Sequence, residues 1–382
     1  MQQYLNIVEA GSQWRGGWLN RIIANPNFQR WCSQFPLLRG IVRKEGTELF
    51  EIVQGFVKSQ VLMALVELDV FRHLQSGSAT PKDLGRIFNI PEERMRVLLQ
   101  AGAALGFLRR RRGARFGLAR RGAILLGSPG LEAVIRHHRA FYRDLENPVD
   151  LLQNPDKQTE LGAYWPYVLE VVCNQPDAEV ARTYSDLMAH SQGLVALDTL
   201  QTTRLDGVNH LLDVGGGTGT FLEHVGAKYP DIEMTLFDLP SVISEAAIRF
   251  ESNGLGSRTH LVSGSFRKDS LPSGAGAISL VRVLYDHTDA IVNSLLKKVF
   301  EALPPGGKLI ISEPMSGGAQ PNLAGDVYFA FYTMAMQTGR TRSASEIRLM
   351  CQAAGFKDIK IPKSHRDFVT RVLTASKPMK SI

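Results

Sequence analysis

Cysteine is scarce in this 382-residue sequence, and no two cysteines stand at the spacing of a zinc or redox motif. Cys32, Cys173 and Cys351 lie far apart, and their odd number argues against a disulfide framework. We therefore expect a protein of the reducing cytoplasm that holds no metal.

Long apolar runs are also missing. None reaches the roughly 18 residues that a membrane-spanning helix needs. The N-terminus lacks a basic segment followed by an apolar core, so we expect no secretory signal. The net charge of +7, from 44 basic and 37 acidic residues, is a mild excess. It permits contact with nucleic acid or an anionic membrane without requiring either.

What is present divides the chain into three regions. Residues 1–45 form an extension rich in tryptophan and arginine, and residues 46–200 have mainly helical patterns. From residue 201 to residue 382, short apolar runs alternate with helical segments. This alternation is typical of a parallel sheet with crossover helices. We expect an α/β domain of Rossmann type behind a helical domain.

The N-terminal extension carries Trp14, Trp18 and Trp31, with arginines between and after them. Tryptophan combined with arginine is the composition of an anchor that lies on a membrane surface. An arm that packs on a second subunit explains the same residues equally well. Both interpretations stay open.

The helical region predicts a winged helix. Residues 50–57 have the apolar spacing of a buried helix, Thr80 is a candidate N-cap, a second helix follows Pro91, and residues 107–118 read as a hairpin. The hairpin carries four consecutive arginines, 109–112, which could contact DNA phosphates. A solvated hairpin on a dimerisation domain is the favoured alternative, and we expect no nucleic-acid partner.

The strongest motif is the glycine-rich segment 211–221. An apolar strand ends at Val214, and a helix begins near Thr220. Gly215, Gly217 and Gly219 let the backbone turn tightly and approach a ligand closely. Asp238 ends the next strand, where an acid accepts hydrogen bonds from the hydroxyls of a ribose. The pattern predicts a nucleoside site, with Gly215, Gly217 and Asp238 as its residues.

Later segments supply the rest of the crevice. Strands are predicted at 259–264, 277–284, 307–313, 357–362 and 367–376. Ligands of such sheets bind at the carboxyl ends of the strands. Five further residues are therefore expected around one site: Ser265, Phe266, Arg282, Tyr285 and Glu313. Phe266 could cover an adenine. Arg282 could reach a carboxylate of the bound molecule, or it could serve as a structural ion-pair residue.

These features resemble the O-methyltransferase family that includes caffeate-type and acetylserotonin-type enzymes. The resemblance runs from about residue 50 to the C-terminus and rests on the winged helix, the segments 211–221, 238–240, 282–290 and 304–314, and the final strand. It implies a class I methyltransferase fold with a seven-stranded sheet. It also implies S-adenosylmethionine as the cofactor, with Gly215, Gly217, Asp238, Ser265, Phe266 and Arg282 around it, and a homodimer.

The sequence departs from the family at the position of the general base. Members usually carry Leu-His-Asp-Trp there, whereas this chain has Leu284-Tyr285-Asp286-His287. The variant, with the segments 312–318 and 325–332, resembles the bacterial carotenoid branch of the family, whose substrates carry a tertiary hydroxyl. A related C-methyltransferase also has tyrosine at this position. Tyrosine alone therefore does not establish transfer to oxygen.

For the chemistry, we hypothesise that His287 accepts the hydroxyl proton while Tyr285 orients the hydroxyl, because imidazole titrates near neutral pH. Glu313 matches a catalytic acid of the family. The alternative is that His287 only packs like the tryptophan it replaces and that no base exists. The helix predicted from Val327 to Met336 offers aromatic and methionine side chains for an apolar substrate, although such a stripe also suits a plain core.

Two other functions fit the same motifs. One is O-methylation of a phenolic or polyketide metabolite, which differs only in the substrate. The other is a transcription regulator that senses S-adenosylmethionine through a winged helix.

Overall fold

The computed structural model describes residues 17–36, 38–128, 130–163 and 192–379. Trp14 and Cys173, named above, lie outside these ranges. The chain divides into two compact units, Met1–Gly122 and Ala123–Ile382. The domain boundaries expected near residues 45 and 200 stay predictions.

The first unit is mainly helical. Its helices are α1 (Gly17–Ile23), α2 (Pro26–Gln34), α3 (Arg39–Val53), α4 (Gly55–Glu67), α5 (Val70–His73), α6 (Pro81–Phe88) and α7 (Glu92–Ala104), and α8 (Arg120–Leu126) follows the hairpin. The hairpin pairs β1 (Leu108–Arg110) with antiparallel β2 (Phe116–Leu118). Thr80 caps α6 in a capping box with Asp83. The order helix, turn, helix, hairpin is therefore present as predicted.

The helix around residue 50 differs from the prediction. Phe50 and Phe56 are 61% and 70% exposed rather than buried. The spacing identified helices correctly, but it does not show whether an apolar face is buried within the chain. Across the described ranges, no single helix is long and apolar enough to cross a membrane. The pair α3 and α4, bent by 48°, meets that length and composition only when taken together.

The second unit contains a seven-stranded sheet. Before it come α9 (Leu131–Asp144), α10 (Pro148–Gln153), α11 (Glu160–Ala163) and the helical residues 192–202 (α12). The remaining elements are β3 (His210–Val214), α13 (Thr220–Lys228), β4 (Glu233–Asp238), α14 (Pro240–Ser252), β5 (Thr259–Ser263), β6 (Ala277–Val281), α15 (Asp289–Ala302), β7 (Lys308–Glu313), β8 (Met315–Ser316), a π-helix (Leu323–Phe329), α16 (Ala330–Met336), β9 (Arg342–Ser343), α17 (Ala344–Ala353), β10 (Lys357–Lys360) and β11 (Arg371–Ser376).

The order across the sheet is β10-β11-β7-β6-β3-β4-β5. The five strands from β7 to β5 are parallel, whereas β11 runs antiparallel to β7 and β10 antiparallel to β11. Apolar clusters cover both faces of the sheet. The Rossmann-like fold class is confirmed, and the carboxyl ends of the parallel strands meet at one edge.

Two predicted elements near this edge need correction. The strand from residue 277 ends at Val281 instead of residue 284, because Arg282 adopts φ +58°, a left-handed conformation incompatible with a strand. The helix predicted from Val327 is a π-helix up to Phe329 and an α-helix only from Ala330. The wider π-turn presses Gly325 against β8, where an added Cβ would stand 2.2 Å from the carbonyl oxygen of Met315.

Candidate active site

The glycine-rich loop joins β3 to α13 and has left-handed backbone at three glycines. Gly215, Gly217 and Gly219 have φ values of +70°, +61° and +81°. A Cβ added to Gly217 would meet no atom within 4 Å, whereas one added to Gly219 would lie 2.3 Å from the ring of Phe250. Gly217 therefore borders open space at the sheet edge, and Gly219 allows the close packing of the loop on α14.

Asp238, at the end of β4, is held against this loop. Its Oδ2 accepts a hydrogen bond from the N–H of Gly217 at 2.7 Å, and its Oδ1 accepts one from Leu239 at 2.7 Å. Burial raises the pKa of Asp238, and these two N–H donors oppose that rise. A carboxylate has about four acceptor sites. Asp238 can therefore brace the loop and still bind a ribose.

Asp213 lies beneath the loop and was missed from the sequence. Its Oδ1 accepts a hydrogen bond from the Ser279 hydroxyl at 2.6 Å. Burial raises its pKa to about 7. A Cβ added to Gly216 would stand 2.2 Å from Oδ2 of Asp213. Only glycine therefore fits between this carboxyl group and the edge of the sheet where the ligand is expected.

Ser265 and Phe266 follow β5 and turn toward the same edge. The Phe266 ring lies 5.2 Å from the His287 ring at 67°, and it stands 3.8 Å from a Cβ added to Gly215. The Ser265 hydroxyl accepts a hydrogen bond from the N–H of Arg267 at 3.4 Å, and Asp269 accepts one from the N–H of Ser265. The structure thus brings Phe266 beside the glycine loop and the segment after β6.

The segment after β6, residues 282–287, is called the β6 loop below. Its strained Arg282 donates from Nη2 to the Tyr285 hydroxyl at 3.1 Å, and the guanidinium carbon lies 5.7 Å from the centre of the Tyr285 ring. Burial raises the pKa of Tyr285, so the phenol is protonated at neutral pH. Its oxygen accepts from Arg282, and its hydroxyl is also hydrogen-bonded to the side chain of Asp286.

The Nδ1 atom of His287 faces a hydrogen-bond donor. Its Nδ1 lies 3.3 Å from Nη2 of Arg267. A guanidinium can only donate, so Nδ1 is the acceptor and the neutral ring carries its proton on Nε2. Burial, followed by the charges of Arg267 and Arg342, lowers the pKa of His287 to about 4. These contacts weigh against His287 as the proton acceptor, and the hypothesis stays a prediction to be tested.

Glu313 and Arg342 hold the backbone of the β6 loop. Oε1 of Glu313 accepts the N–H groups of Val283 and Leu284 at 2.8 and 2.7 Å, and Oε2 accepts that of Tyr285 at 3.4 Å. Arg342 donates to the carbonyl oxygens of Leu284 and His287, both at 2.7 Å. Burial raises the pKa of Glu313 to about 7. Glu313 therefore positions the loop, and a direct catalytic role for it stays a prediction.

Besides Asp213, sequence reasoning missed four residues in this part of the structure. Arg267 and Arg342 gave no signal, because a single arginine in a loop has many uses. His137 and His138 on α9 contact the hydroxyls of Tyr332 and Tyr328, and a histidine doublet facing tyrosines four residues apart was a usable signal. In the part of the chain that the structure describes, no group of three His, Cys, Asp or Glu side chains is arranged to hold a metal ion.

Models of two known protein domains match this chain. The model of the O-methyltransferase domain matches residues 143–357, and the model of the O-methyltransferase dimerisation domain matches residues 50–128. The chain belongs to the O-methyltransferase family. The dimerisation domain supports a homodimer for this O-methyltransferase.

Similar proteins agree with this assignment. The chain is 50% identical to demethylspheroidene O-methyltransferase of Cereibacter sphaeroides, over 94% of each chain. It is 48% identical to the protein of the same name from Rhodobacter capsulatus, over 95% of this chain and 90% of that protein. Human N-acetylserotonin methyltransferase, solved in complex with SAM, has the same fold. It superposes with a TM-score of 0.74 at 22% identity, covering 88% of this O-methyltransferase and 98% of that chain.

Proposed function

We propose that this O-methyltransferase transfers a methyl group from S-adenosylmethionine to the tertiary hydroxyl of an acyclic carotenoid of the demethylspheroidene or hydroxyneurosporene type, giving a methoxy-carotenoid. The observation that carries the proposal is the 50% identity to a demethylspheroidene O-methyltransferase over 94% of both chains.

The residues at the sheet edge fit S-adenosylmethionine. Open space beside Gly217 admits a ligand against the backbone. We assign Gly215 and Gly217 to its methionine part, Asp238 to the ribose, and Ser265 and Phe266 to the adenine. Arg282 is assigned to the carboxylate. When bound, this cofactor supplies a methyl group already activated on a sulfonium, so positioning contributes much of the rate.

The chain's own residues position the acceptor. Glu313 accepts hydrogen bonds from N–H groups of the β6 loop, and Arg342 donates hydrogen bonds to its carbonyl oxygens. Together they fix the position of the loop. We assign Tyr285, which this loop holds in place, to orient the acceptor hydroxyl. On the π-helix side, the Phe329 ring lies 6.5 Å from the ring of Tyr285 and 4.8 Å from the ring of Tyr328. Aromatic side chains of this kind hold a polyene and exclude water.

Methyl-labelled S-adenosylmethionine tests the function directly. The purified protein is incubated with a hydroxylated acyclic carotenoid in detergent and, in parallel, with simple phenols. Label in a methoxy-carotenoid is the expected result. Label only in phenols would move the enzyme to phenolic or polyketide metabolism. Tight cofactor binding without transfer to either, together with retardation of genomic DNA fragments in a gel, would favour the regulator.

We further propose that the enzyme works on the cytoplasmic side of a membrane and touches its surface through residues 1–45. Trp18 and Trp31 are 67% and 52% exposed, and the exposed Arg21 and Arg30 lie beside them. Exposed tryptophan next to arginine matches the interface of an anionic lipid surface. A carotenoid resides in such a membrane, so docking would bring the enzyme to its substrate.

A further inference from the structure

The hairpin of the first unit, residues 108–118, is called the wing below, and it concentrates the positive charge of the chain. Between residues 97 and 131 the sequence contains seven arginines and no lysine, aspartate or glutamate. The whole chain has 44 basic and 37 acidic residues, so these seven arginines equal its net charge of +7. The excess charge of the protein therefore lies in and beside one small element.

The wing is firmly anchored, and its arginines are exposed. Leu108 and Phe116 are each 2% exposed and pack in the core. The N–H of Arg111 donates to the carbonyl oxygen of Arg115 at 2.8 Å and closes the turn. The side chains of residues 109–112 are exposed, and none of them has a hydrogen bond or ion pair to another residue of the described ranges. Four guanidinium groups are thus presented to solvent on a fixed support.

Two neighbouring arginines do have structural partners. Nε of Arg115 donates to the Ser78 hydroxyl at 3.1 Å, and Nη1 of Arg121 donates to the carbonyl oxygen of Leu105 at 2.9 Å. The fold itself therefore accounts for these two side chains. Within the part of the chain that the structure describes, residues 109–112 have no such use, so their charge points to an external partner.

The helix α7, which precedes the wing, disfavours a nucleic-acid duplex as that partner. In a helix-turn-helix protein on DNA, the N-terminal residues of the second helix contact base edges in the major groove. Here α7 begins with Glu92 and Glu93. Glu92 also accepts a hydrogen bond from Arg96 at 2.6 Å, which engages a nearby cation. Carboxylates at this end repel phosphates, so the partner is an anionic surface that the wing touches without α7.

We infer that the wing docks on the anionic headgroups of the lipid bilayer that holds the acceptor. Guanidinium groups bind phosphate oxygens through charge-assisted hydrogen bonds. Each arginine close to an anionic bilayer strengthens binding about fivefold, the equivalent of about 1 kcal/mol. The choice of a bilayer rests on the proposed function, because a carotenoid resides in a membrane.

The contact made by the wing differs in kind from that proposed for residues 1–45. Residues 111–115 at the tip include no large apolar side chain, so the wing touches headgroups without entering the hydrocarbon. Its contribution falls as salt shortens the Debye length from about 10 Å at 0.1 M to about 3 Å at 1 M. The exposed Trp18 and Trp31 supply an apolar contribution that salt does not screen. The wing therefore accounts for the salt-sensitive part of docking.

Co-sedimentation with vesicles tests this contact. The wing variant replaces the four arginines 109–112 with glutamine, and the full-length protein is mixed with vesicles of equal parts phosphatidylcholine and phosphatidylglycerol. We expect its binding at about 0.1 M salt to be at least about 30-fold weaker than that of wild type. The matched control loses the same charge through glutamine at four exposed lysines of the second unit, Lys297, Lys357, Lys360 and Lys363. Equal weakening of both variants would overturn the inference, because net charge alone would then explain the binding.

Salt and lipid charge give a second readout. Raising the salt to about 1 M should weaken wild-type binding at least about tenfold and affect the wing variant much less. Wild-type binding that is equal on pure phosphatidylcholine, or absent altogether, would contradict the inference. Stronger binding to duplex DNA than to anionic vesicles would assign the wing to nucleic acid instead. A wing variant that is monomeric in analytical ultracentrifugation, beside a dimeric wild type, would assign it to the subunit interface.

Turnover separates this inference from the proposed function. In neutral detergent, the wing variant should methylate the carotenoid with a kcat within about twofold of wild type, because only exposed surface residues are changed. On carotenoid held in anionic vesicles, its rate should fall at least about tenfold. An inactive wild type whose vesicle binding depends on the wing contradicts the proposed function alone. An active wild type with equal vesicle binding by the wing variant contradicts this inference alone.

Discussion

Glu313 and Arg342 bind the same short loop through opposite backbone groups. The carboxylate accepts N–H groups of residues 283–285, and the guanidinium binds the carbonyl oxygens of Leu284 and His287. The Arg342 side chain is 1% exposed and also pairs with Asp289 at 2.7 Å. The position of Tyr285 and His287 is therefore fixed by two buried charges that need not touch the substrate.

Replacing Arg342 should disturb both stability and catalysis. Arg342→Met leaves two buried carbonyl oxygens without their donor, and the loss of a buried charged partner costs about 3–5 kcal/mol. We expect a clear drop in the free energy of unfolding and, in the folded fraction, a kcat at least tenfold lower. Arg340→Met is the control, because Arg340 binds the same Asp289 from an exposed position. Its effect should stay within about 1 kcal/mol, and equal losses in both variants would contradict the loop-clamping role.

Glu313→Gln should change the pH dependence of stability. The folded-state pKa of about 7 lies above the usual 4.5, so the contribution of Glu313 to stability is fully present below pH 4.5 and is lost as the pH rises toward 7. The amide of glutamine does not titrate, so the variant does not lose stability in this way as the pH rises. Relative to wild type, the variant should gain roughly 3 kcal/mol between pH 4.5 and 7.5. Urea unfolding across this range provides the measurement, and parallel curves for the two proteins would count against it.

Alanine variants of three glycines distinguish the effect of backbone strain from the effect of obstructing the cofactor. Gly217→Ala adds a methyl group into open space with φ +61°, so it costs about 1 kcal/mol of stability but obstructs the ligand. Binding of S-adenosylhomocysteine, measured by calorimetry, should weaken at least tenfold. Gly207→Ala has similar strain, with φ +75° and nothing nearby, and should leave binding unchanged. Gly219→Ala collides with Phe250 and should unfold much more readily. Equal binding by the Gly207 and Gly217 variants would refute the assignment of the loop.

Membrane docking should depend on the exposed tryptophans. A double variant, Trp18→Ser with Trp31→Ser, should lose flotation with vesicles that contain anionic lipid, because it removes the apolar side chains exposed at the surface. Replacing Trp165, outside the extension, serves as the control. An altered oligomeric state with unchanged vesicle binding would instead assign the extension to the dimer, and lack of binding by the wild type would exclude docking.

Replacing His287 tests whether it accepts the proton. Its Nδ1 already accepts from Arg267 and its pKa is lowered to about 4, so His287→Gln, whose amide oxygen can still accept from Arg267, should lower kcat less than tenfold. A fall of 100-fold or more, with cofactor binding intact, would restore His287 as the base. Stopped-flow mixing under single-turnover conditions gives this rate without interference from product release.

The sequence predicted most of the fold because its signals are local. The segment 211–221 and Asp238 occupy adjacent strand ends, and their contact at 2.7 Å between Gly217 and Asp238 follows from the topology. Phe50 and Phe56 were misjudged because apolar periodicity marks one face of a helix without showing whether the same chain buries that face. The partners of His287 could not be predicted, since Arg342 is brought to it across 55 residues by the pairing of β8 with β9.

The π-helix at Leu323–Phe329 makes the acceptor side of the enzyme sensitive to insertions and deletions. A π-turn holds about one residue more than an α-turn. Deleting one residue between 323 and 327 and restoring α-helical winding would therefore keep the flanking residues in their angular positions about the helix axis and remove the wide turn. Tyr328 and Tyr332 would keep their partners while Gly325 would leave β8. A one-residue change in length could thus reshape this side of the site while leaving the sheet intact.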